Sequence, residues 1–316
     1  MCGIVGAVAD RNVTPILLEG LRRLEYRGYD SAGIAVINDR ECIDRVRRVG
    51  KVRALSDSLS QLPLRGVTGV AHTRWATHGE PSENNAHPHI CDESVALVHN
   101  GIIENHADLR EQQKAAGFRF TSETDTEVAD HQIEHYLKNG KDLLESVRHA
   151  VADFEGAYAL GVVSVNNPGR MIAARSGSPL VIGVGLGEHF IASDASALLP
   201  VTRRFVYLEE GDFADITPDV LTIYDKDGNV VEREIRESDL SAESTSKAGY
   251  RHYMLKEIHE QPASMIEVLE GRVIEGKVLD SAFGPKAAEI FDKVKSVQII
   301  ACGTSYHAGL VTRYWM

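Results

Sequence analysis

Short apolar runs and amphipathic stretches alternate over most of the chain, which predicts strands interrupted by helices. The apolar run 4–9 predicts a buried first strand. A helix is expected to follow, with Pro15 at its first turn, apolar residues at Leu17, Leu21 and Leu24, and Gly28 as its stop. Further strands are predicted at 33–37, 42–47, 67–72 and 95–99, and a polar helix near 52–60.

Two more amphipathic helices are predicted in the middle of the chain. Thr124 and Glu127 have the spacing of a capping box before the first of them, and Gly140 is expected to end it. The second is expected to begin after Asp142. Short strands are then predicted at 158–165, 171–174, 180–184, 190–192, 205–208 and 220–224. Strands with helices before and between them predict a layered α+β domain over residues 1–237.

A change of composition predicts a second domain. Residues 238–250 are small and polar, as is typical of a linker, and they divide 1–237 from 251–316. Beyond them we expect a helix over 253–269, kinked or restarted at Pro262, and a helix near 286–293. The apolar run 297–302 predicts a strand buried on both faces. It leads into Thr304 and Ser305, which are expected to begin a helix and to offer a phosphate cradle.

The amino-acid composition and the net charge argue against several classes of partner. The net charge of -12 and the pI near 5.5 argue against a nucleic-acid partner, and the basic run 45–48 is expected to be a solvated strand face. The four cysteines have no paired spacing, which favours a reducing compartment without disulfides. No signal peptide or membrane-spanning run is evident, so a cytoplasmic protein with no membrane partner is expected.

The most informative residue is Cys2. If Met1 is removed, this residue carries a thiol nucleophile and a free amine whose ordinary pKa of about 8 suits a base. If Met1 is kept, Cys2 is an ordinary small residue.

Three later stretches carry polar groups at predicted strand or helix ends. Arg74 offers a guanidinium fork that suits a carboxylate, and its alternative is a surface salt bridge. Asn100 and Gly101 offer an amide and a backbone N–H for an oxyanion, and their alternative is a simple turn. Asp125 offers a carboxylate to an ammonium group, and its alternative is a solvated aspartate at a helix start. Together with Cys2, these groups suffice to hold an α-amino acid and cleave its side-chain amide.

Two other functions compete with this one. Five histidines are concentrated in one region, but their spacing matches no common zinc pattern, so no metal and no cofactor is expected; they are His72, His78, His87, His89 and His99. A non-catalytic domain that senses a sugar phosphate is the alternative to an enzyme. It predicts that the nucleophile or one of the binding groups is missing, whereas all of them are present.

Motifs along the whole chain resemble those of the glutamine–fructose-6-phosphate aminotransferase (isomerizing) family. They are the Cys2-Gly3-Ile4-Val5-Gly6 start, LRRLEYRGYDSAG at 21–33, the block 72–88, HNGIIEN at 99–105, SETDTE at 122–127 and ACGTSY at 301–306. Glutamine phosphoribosylpyrophosphate amidotransferases and asparagine synthetases share the Cys-Gly-Ile start but lack the TRWATHG block and a following sugar-isomerase domain.

The resemblance implies a four-layer αββα N-terminal-nucleophile glutaminase domain followed by an α/β sugar-isomerase domain. It implies L-glutamine as substrate and fructose 6-phosphate as the acceptor of ammonia in the whole enzyme, which is expected to be a homodimer. It assigns catalysis to Cys2, Asn100 and Gly101. It assigns glutamine binding to Arg74, Trp75, Thr77, His78 and Asp125, and a weaker sugar-phosphate contact to Thr304 and Ser305.

The isomerase part is expected to be truncated, because only one of its strands is present before Met316. Residues 1–237 are therefore expected to fold alone and hydrolyse glutamine. Residues 251–316 are expected to be protease-sensitive or self-associated, and no glucosamine 6-phosphate is expected from this chain. The sequence does not predict whether this chain itself forms a dimer.

Overall fold

A computed structural model describes residues 2–238, 249–270, 272–274, 276–284 and 286–316. Its contacts divide the chain into two compact units, with the division between residues 248 and 249. Most of the predicted linker, residues 239–248, lies outside the described residues.

The larger unit contains two sheets in which neighbouring strands run antiparallel. One sheet has the strand order β15-β11-β9-β10-β1-β4-β2-β3, and the other has the order β14-β13-β12-β8-β7-β6-β5. The strands are β1 (Gly3–Ala9), β2 (Ser31–Ile37), β3 (Ile43–Val49), β4 (Thr68–Arg74), β5 (His89–Cys91), β6 (Val95–Ile103), β7 (Gly156–Ser164), β8 (Met171–Ser176), β9 (Val181–Val184), β10 (Glu188–Ala192), β11 (Arg204–Tyr207), β12 (Phe213–Ile216), β13 (Leu221–Tyr224), β14 (Val230–Val231) and β15 (Ile235–Glu237).

Helices cover the outer face of each sheet. On the first sheet lie α1 (Thr14–Leu24) and α2 (Val52–Gln61). On the second sheet lie α4 (Asp125–Lys138) and α5 (Leu143–Ala152), and α3 (His106–Ala115) packs against α4.

Three layers of buried apolar side chains hold these four layers together. Leu17 and Val36 belong to the core between the helices and the first sheet. Val70 and Val98 belong to the core between the two sheets. Leu97, the neighbour of Val98 in β6, faces the opposite way into the core under α4 and α5, because successive side chains of a strand point to opposite faces. The predicted α+β class and its four-layer αββα arrangement are confirmed.

Four strands and one helix of this unit were not predicted. Strands β5, β12, β14 and β15 are only two to four residues long, too short for a clear alternation of polar and apolar positions. Helix α3 buries only Leu109 and Gln113, so its sequence lacks the apolar repeat that marks an amphipathic helix.

The basic run in β3 was predicted to be a solvated face, and this prediction was wrong. Arg45 Nη1 donates to Pro88 O at 3.1 Å, and Arg47 Nη1 donates to Asn84 O and Ala86 O at 3.1 and 2.9 Å. Burial lowers the pKa of Arg47 to about 10. These guanidinium groups bind the carbonyl groups of the segment 84–88, which leads into the predicted site region.

The smaller unit contains three helices and a short hairpin among its described residues. They are α6 (Tyr253–Leu269), β16 (Val273–Ile274), β17 (Lys277–Val278), α7 (Ala287–Phe291) and α8 (Gly303–Trp315). Pro262 lies inside the continuous helix α6, so of the two expected outcomes, a kink or a restart, the restart does not occur. No helix in the described part of the chain is long and apolar enough to cross a membrane.

The predicted buried strand 297–302 is not formed. Val297, Ile299 and Ile300 are exposed, and no described strand pairs with this segment. A strand needs a neighbour to satisfy its backbone N–H and C=O groups, and an apolar run alone does not supply one. The predicted helix after it is present as α8, with Thr304 and Ser305 exposed in its first turn.

Candidate active site

Cys2 lies where the first sheet brings two chain segments together. It precedes β1, whose Gly3 pairs with Thr73 of β4, so the start of β1 lies beside the end of β4. A Cβ atom on Gly3 would lie 2.6 Å from Thr73 Oγ1, so this close approach requires glycine. Trp75, which follows β4, donates its backbone N–H to Cys2 Sγ at 3.2 Å.

The thiol of Cys2 is not acidic in this environment. Burial raises its pKa above the ordinary value, and the hydrogen bond from the Trp75 N–H opposes this effect only in part. The thiol is therefore protonated at neutral pH, and a nucleophilic role requires a base that removes its proton.

Asn100 and Gly101 come from β6 in the second sheet. Asn100 Nδ2 donates to Cys2 O at 3.2 Å, and Asn100 Oδ1 lies 2.9 Å from His72 Nε2. Gly101 has a φ of 135°, and a Cβ atom there would lie 1.9 Å from Ala157 O. Only glycine fits this position. The two sheets thus bring the amide donor and the thiol-bearing residue into contact.

Arg74 is 3 % exposed and binds the loop that follows it. Its Nη2 donates to the carbonyl groups of His78 and Gly79, the latter at 3.0 Å, and its Nη1 donates to Glu80 O at 3.3 Å. The predicted alternative, a surface salt bridge, is wrong, because the guanidinium is buried under residues 75–80.

Asp30 belongs to this arrangement and was not predicted as a site residue. Its Oδ1 lies 3.6 Å from Arg74 Nη1 and accepts from Ser31 Oγ at 2.7 Å. Its Oδ2 accepts the backbone N–H of Ala76. Asp30 lies in the motif 21–33, on which the resemblance to the family partly rests. The motif could therefore have indicated Asp30 as a site residue, whereas its spacing from other polar residues does not indicate a role.

Asp125 is the first residue of α4 and is 3 % exposed. Its Oδ2 accepts from Ile103 N at 2.9 Å, and its Oδ1 lies 3.8 Å from His78 Nδ1. The alternative of a solvated aspartate at a helix start was therefore wrong.

The residue before it, Thr124, caps α4 as predicted, because Thr124 Oγ1 accepts from Glu127 N at 3.3 Å. The Glu127 carboxylate does not complete the capping box. It accepts instead from the backbone N–H groups of Thr121 and Ser122, both at 2.7 Å.

The predicted glutaminase residues surround one small cavity of about 20 Å³, which is room for about one water molecule. Asn100 adjoins it through Cys2 O. The predicted sugar-phosphate residues Thr304 and Ser305 belong to the smaller unit and are not among the residues that line this cavity. The cavity is lined by Cys2, Arg74, Trp75, Thr77, His78, His87, His99, Gly101, Thr124, Asp125 and Thr126. A cavity of this size cannot hold an amino acid, so binding one requires some of its lining residues to move.

Trp75 is 54 % exposed beside the cavity, and Gly28 provides the space for its ring. Gly28 has a φ of 102°, and a Cβ atom there would lie 2.3 Å from Trp75 Cε3. The predicted helix-ending glycine therefore also determines where this indole can lie.

Four of the five concentrated histidines are buried at the cavity, and two of them, His87 and His99, line it. The rings of His72 and His87 stack at 4.1 Å between centroids, and those of His87 and His89 meet edge-on at 5.1 Å. His99 Nδ1 lies 3.0 Å from Thr126 Oγ1. Burial lowers the pKa of all four, that of His72 to about 3, so they are neutral at pH 7. No three His, Cys, Asp or Glu side chains in the described ranges have a spacing suited to a metal ion.

These neutral histidines predict that the fold is sensitive to acid. Each has a folded-state pKa below the unfolded value of 6.5, so its stabilising contribution is present above pH 6.5 and is lost progressively as the pH falls from 6.5 toward its folded-state pKa. For His72, whose folded-state pKa is about 3, the loss is about 1.4 kcal/mol of unfolding free energy per pH unit between pH 6.5 and 3. Asp130 and Glu134, whose pKa values burial raises, act in the opposite direction and offset part of this loss. Urea unfolding at pH 7.5 and pH 5 measures the loss.

The matched control for this prediction is His87→Phe, which keeps a flat buried ring that cannot take up a proton. We expect its unfolding free energy to fall less steeply with pH than that of the unaltered protein. Equal slopes for the two proteins would contradict the assignment of acid sensitivity to this cluster.

The amino-acid sequence of this chain is similar to the sequences of known glutamine amidotransferases. A family of glutamine amidotransferase domains matches residues 72–200. Over all 316 residues the chain is 59% identical to the glutamine–fructose-6-phosphate aminotransferase [isomerizing] of Shewanella oneidensis and 58% identical to that of Pseudomonas aeruginosa. The match covers 52% of each relative, so the chain spans about half the length of the curated relatives it matches.

Solved structures show the same fold. The glutamine phosphoribosylpyrophosphate amidotransferase of B. subtilis, complexed with ADP and GMP, aligns with a TM-score of 0.63 at 24% identity, over 72% of this chain and 50% of that one. A structure described as the allosteric regulatory enzyme of purine biosynthesis aligns with a TM-score of 0.63 at 25% identity, over 71% and 49%. Residues 72–200 therefore match the glutamine amidotransferase domain family, and the chain has the fold of the N-terminal-nucleophile hydrolases among these amidotransferases.

Proposed function

We propose that this chain hydrolyses L-glutamine to glutamate and ammonia, with Cys2 as the nucleophile. The observation that carries the proposal is the meeting of a half-buried thiol, an amide donor, a guanidinium and a carboxylate around one cavity. These groups match the three parts of the substrate: its side-chain amide, its α-carboxylate and its α-ammonium group.

The reaction begins with transfer of the thiol proton to the amine of Cys2, which is free once Met1 is removed. Sulfur attacks the amide carbon, and the resulting oxyanion accepts hydrogen bonds from Asn100 Nδ2 and the Gly101 N–H. The protonated amine returns its proton to the leaving nitrogen, and ammonia departs. Water then attacks the thioester through a second oxyanion, which releases glutamate and restores the thiol.

Arg74 and Asp125 hold the substrate in this proposal, with Thr77 and His78 beside them. In the structure the Arg74 guanidinium donates to the loop carbonyl groups of residues 78–80. When glutamine enters, the loop moves and the guanidinium exchanges some of these acceptors for the α-carboxylate. Asp125, already oriented by Ile103 N, accepts from the α-ammonium group.

Replacement of Arg74 by lysine is expected to raise the KM for glutamine by about tenfold or more, because a lysine ammonium cannot form two parallel hydrogen bonds to a carboxylate. Steady-state assays of glutamate release measure this change. Arg170→Lys is the matched control, since Arg170 forms a comparable two-bond contact with Asp215, at 2.8 and 2.7 Å, in another part of the unit. A KM that stays unchanged in Arg74→Lys would remove Arg74 from the carboxylate site.

We further propose that the chain is part of an enzyme that transfers this ammonia to fructose 6-phosphate and forms glucosamine 6-phosphate. The similarity to aminotransferases of that printed name over the whole chain supports this proposal. Trp75 lies where ammonia leaves in this proposal, and Thr304 and Ser305 would contact the sugar phosphate. The assignment of 251–316 to a sugar-isomerase domain, a dimeric state and a cytoplasmic location stay predictions.

Two measurements test the proposed hydrolysis. Purified protein should release glutamate from glutamine, and its intact mass should lack the initiator methionine, because only then is the amine of Cys2 free. A protein that lacks Met1, is folded and releases no glutamate would contradict the proposal and favour the non-catalytic sensor, which the comparisons do not favour.

A further inference from the structure

We propose that His72 is a positioning residue, which holds the Asn100 side-chain amide in the one orientation that turns its NH₂ group toward Cys2. This inference deepens the proposed function and rests on the role of Asn100 as oxyanion donor. His72 touches neither the thiol nor the cavity, so its effect on catalysis is transmitted through Asn100.

The orientation of the Asn100 amide follows from its two neighbours. One end lies 3.2 Å from Cys2 O, which can only accept a hydrogen bond, so the NH₂ group must face it. The flipped amide would place two carbonyl oxygens against each other. The Oδ1 atom therefore faces His72, 2.9 Å from Nε2.

This orientation determines the tautomer of His72. Because Asn100 Oδ1 can only accept, His72 must carry a proton on Nε2. The ring is fully buried and stacked on His87, and burial lowers its pKa to about 3, so it carries a single ring proton at neutral pH. His72 donates that proton in its hydrogen bond to Asn100 Oδ1.

The hydrogen bond also joins the two sheets at the site. His72 lies in β4 of the first sheet, next to the strand that follows Cys2, whereas Asn100 lies in β6 of the second sheet. Without a donor at His72 Nε2, the amide can rotate and present its oxygen to the thiol side. An oxygen there repels the oxyanion that the NH₂ group would stabilise.

The test compares two amide substitutions at His72. Glutamine places its side-chain nitrogen near the position of Nε2, whereas asparagine places it near the position of Nδ1. We expect His72→Asn to lower kcat for glutamine hydrolysis by about ten- to a hundredfold with little change in KM, as for the loss of an oxyanion donor. His72→Gln should keep kcat within a few fold. Equal losses in the two variants would overturn the proposal.

A double-mutant cycle distinguishes a positioning role of His72 from a general effect of its replacement on the structure. In an Asn100→Ala background, His72→Asn should change kcat by less than about twofold, because the amide it positions is already gone. An undiminished loss in that background would show a merely structural role. His131→Asn controls for the removal of a buried imidazole, since His131 packs against Phe118 and Phe120 and should leave kcat unchanged.

The same experiments distinguish a failure of the role proposed for Asn100 from a failure of the role proposed for His72. If Asn100→Ala alone leaves kcat unchanged, the oxyanion role of Asn100 fails. If Asn100→Ala lowers kcat but His72→Asn does not, only the role of His72 fails. Long-range ¹⁵N–¹H NMR of the unaltered protein gives a further test that needs no variant: an Nε2–H tautomer for His72 supports the proposal, and an Nδ1–H tautomer overturns it.

Discussion

Replacement of Cys2 by alanine should abolish glutamine hydrolysis, with kcat lowered by about four orders of magnitude or more, as for the loss of a catalytic nucleophile. Among the described residues that line the cavity, Cys2 alone carries a thiol. Alanine removes that thiol with little change in volume, so the fold should remain, and thermal unfolding together with glutamate release tests both parts of the prediction.

A control variant and a covalent probe test whether the loss of turnover is due to the Cys2 thiol. Cys42→Ala removes an exposed thiol that donates to Arg40 O, and it should leave turnover unchanged. A glutamine analogue with an electrophilic carbon in place of the amide should add covalently to the unaltered protein and to Cys42→Ala, but not to Cys2→Ala. Turnover by Cys2→Ala within tenfold of the unaltered protein would refute the assignment.

Replacement of Asn100 by alanine should lower kcat by about a hundredfold or more while changing the KM for glutamine much less. The reason is that an oxyanion donor stabilises charge that develops only in the transition state. This result would differ from that of Arg74→Lys, where the bound substrate itself loses contacts. Steady-state glutaminase assays of both variants measure the difference.

Asn100→Ala should also reduce stability, because it leaves the buried Nε2–H of His72 without an acceptor, at a cost of about 1–3 kcal/mol. Asn38→Ala is the matched control. Asn38 donates to Asp44 Oδ2 at 2.9 Å in the β2–β3 hairpin, so its loss should affect stability but not kcat. If Asn100→Ala raised KM and spared kcat, Asn100 would be a substrate contact, and the oxyanion would need another donor.

Local patterns were sufficient for most elements of the larger unit. Leu17, Leu21 and Leu24 recur on one face, and their repeat correctly predicted α1. The same kind of pattern failed for 297–302, where the apolar run is present but no described strand pairs with it. A helix satisfies its own backbone, whereas a strand depends on a neighbour that its own residues do not specify.

The sequence by itself determined the chemical groups of the candidate site. Residue types and motifs singled out Cys2, Arg74, Asn100 and Asp125, because a nucleophile, a guanidinium, an amide and a carboxylate are recognisable without coordinates. The positive φ of Gly28 likewise follows from a glycine where a helix must end.

Only the tertiary structure decided how these groups are supported. The packing of two sheets brings His72 against Asn100, and the pairing of β2 with β4 brings Asp30 against Arg74. Burial, which no local pattern measures, made the histidine cluster neutral and the Cys2 thiol protonated. Hydrogen-bond partners and desolvation arise from segments distant in sequence, so they appear only when the chain has folded.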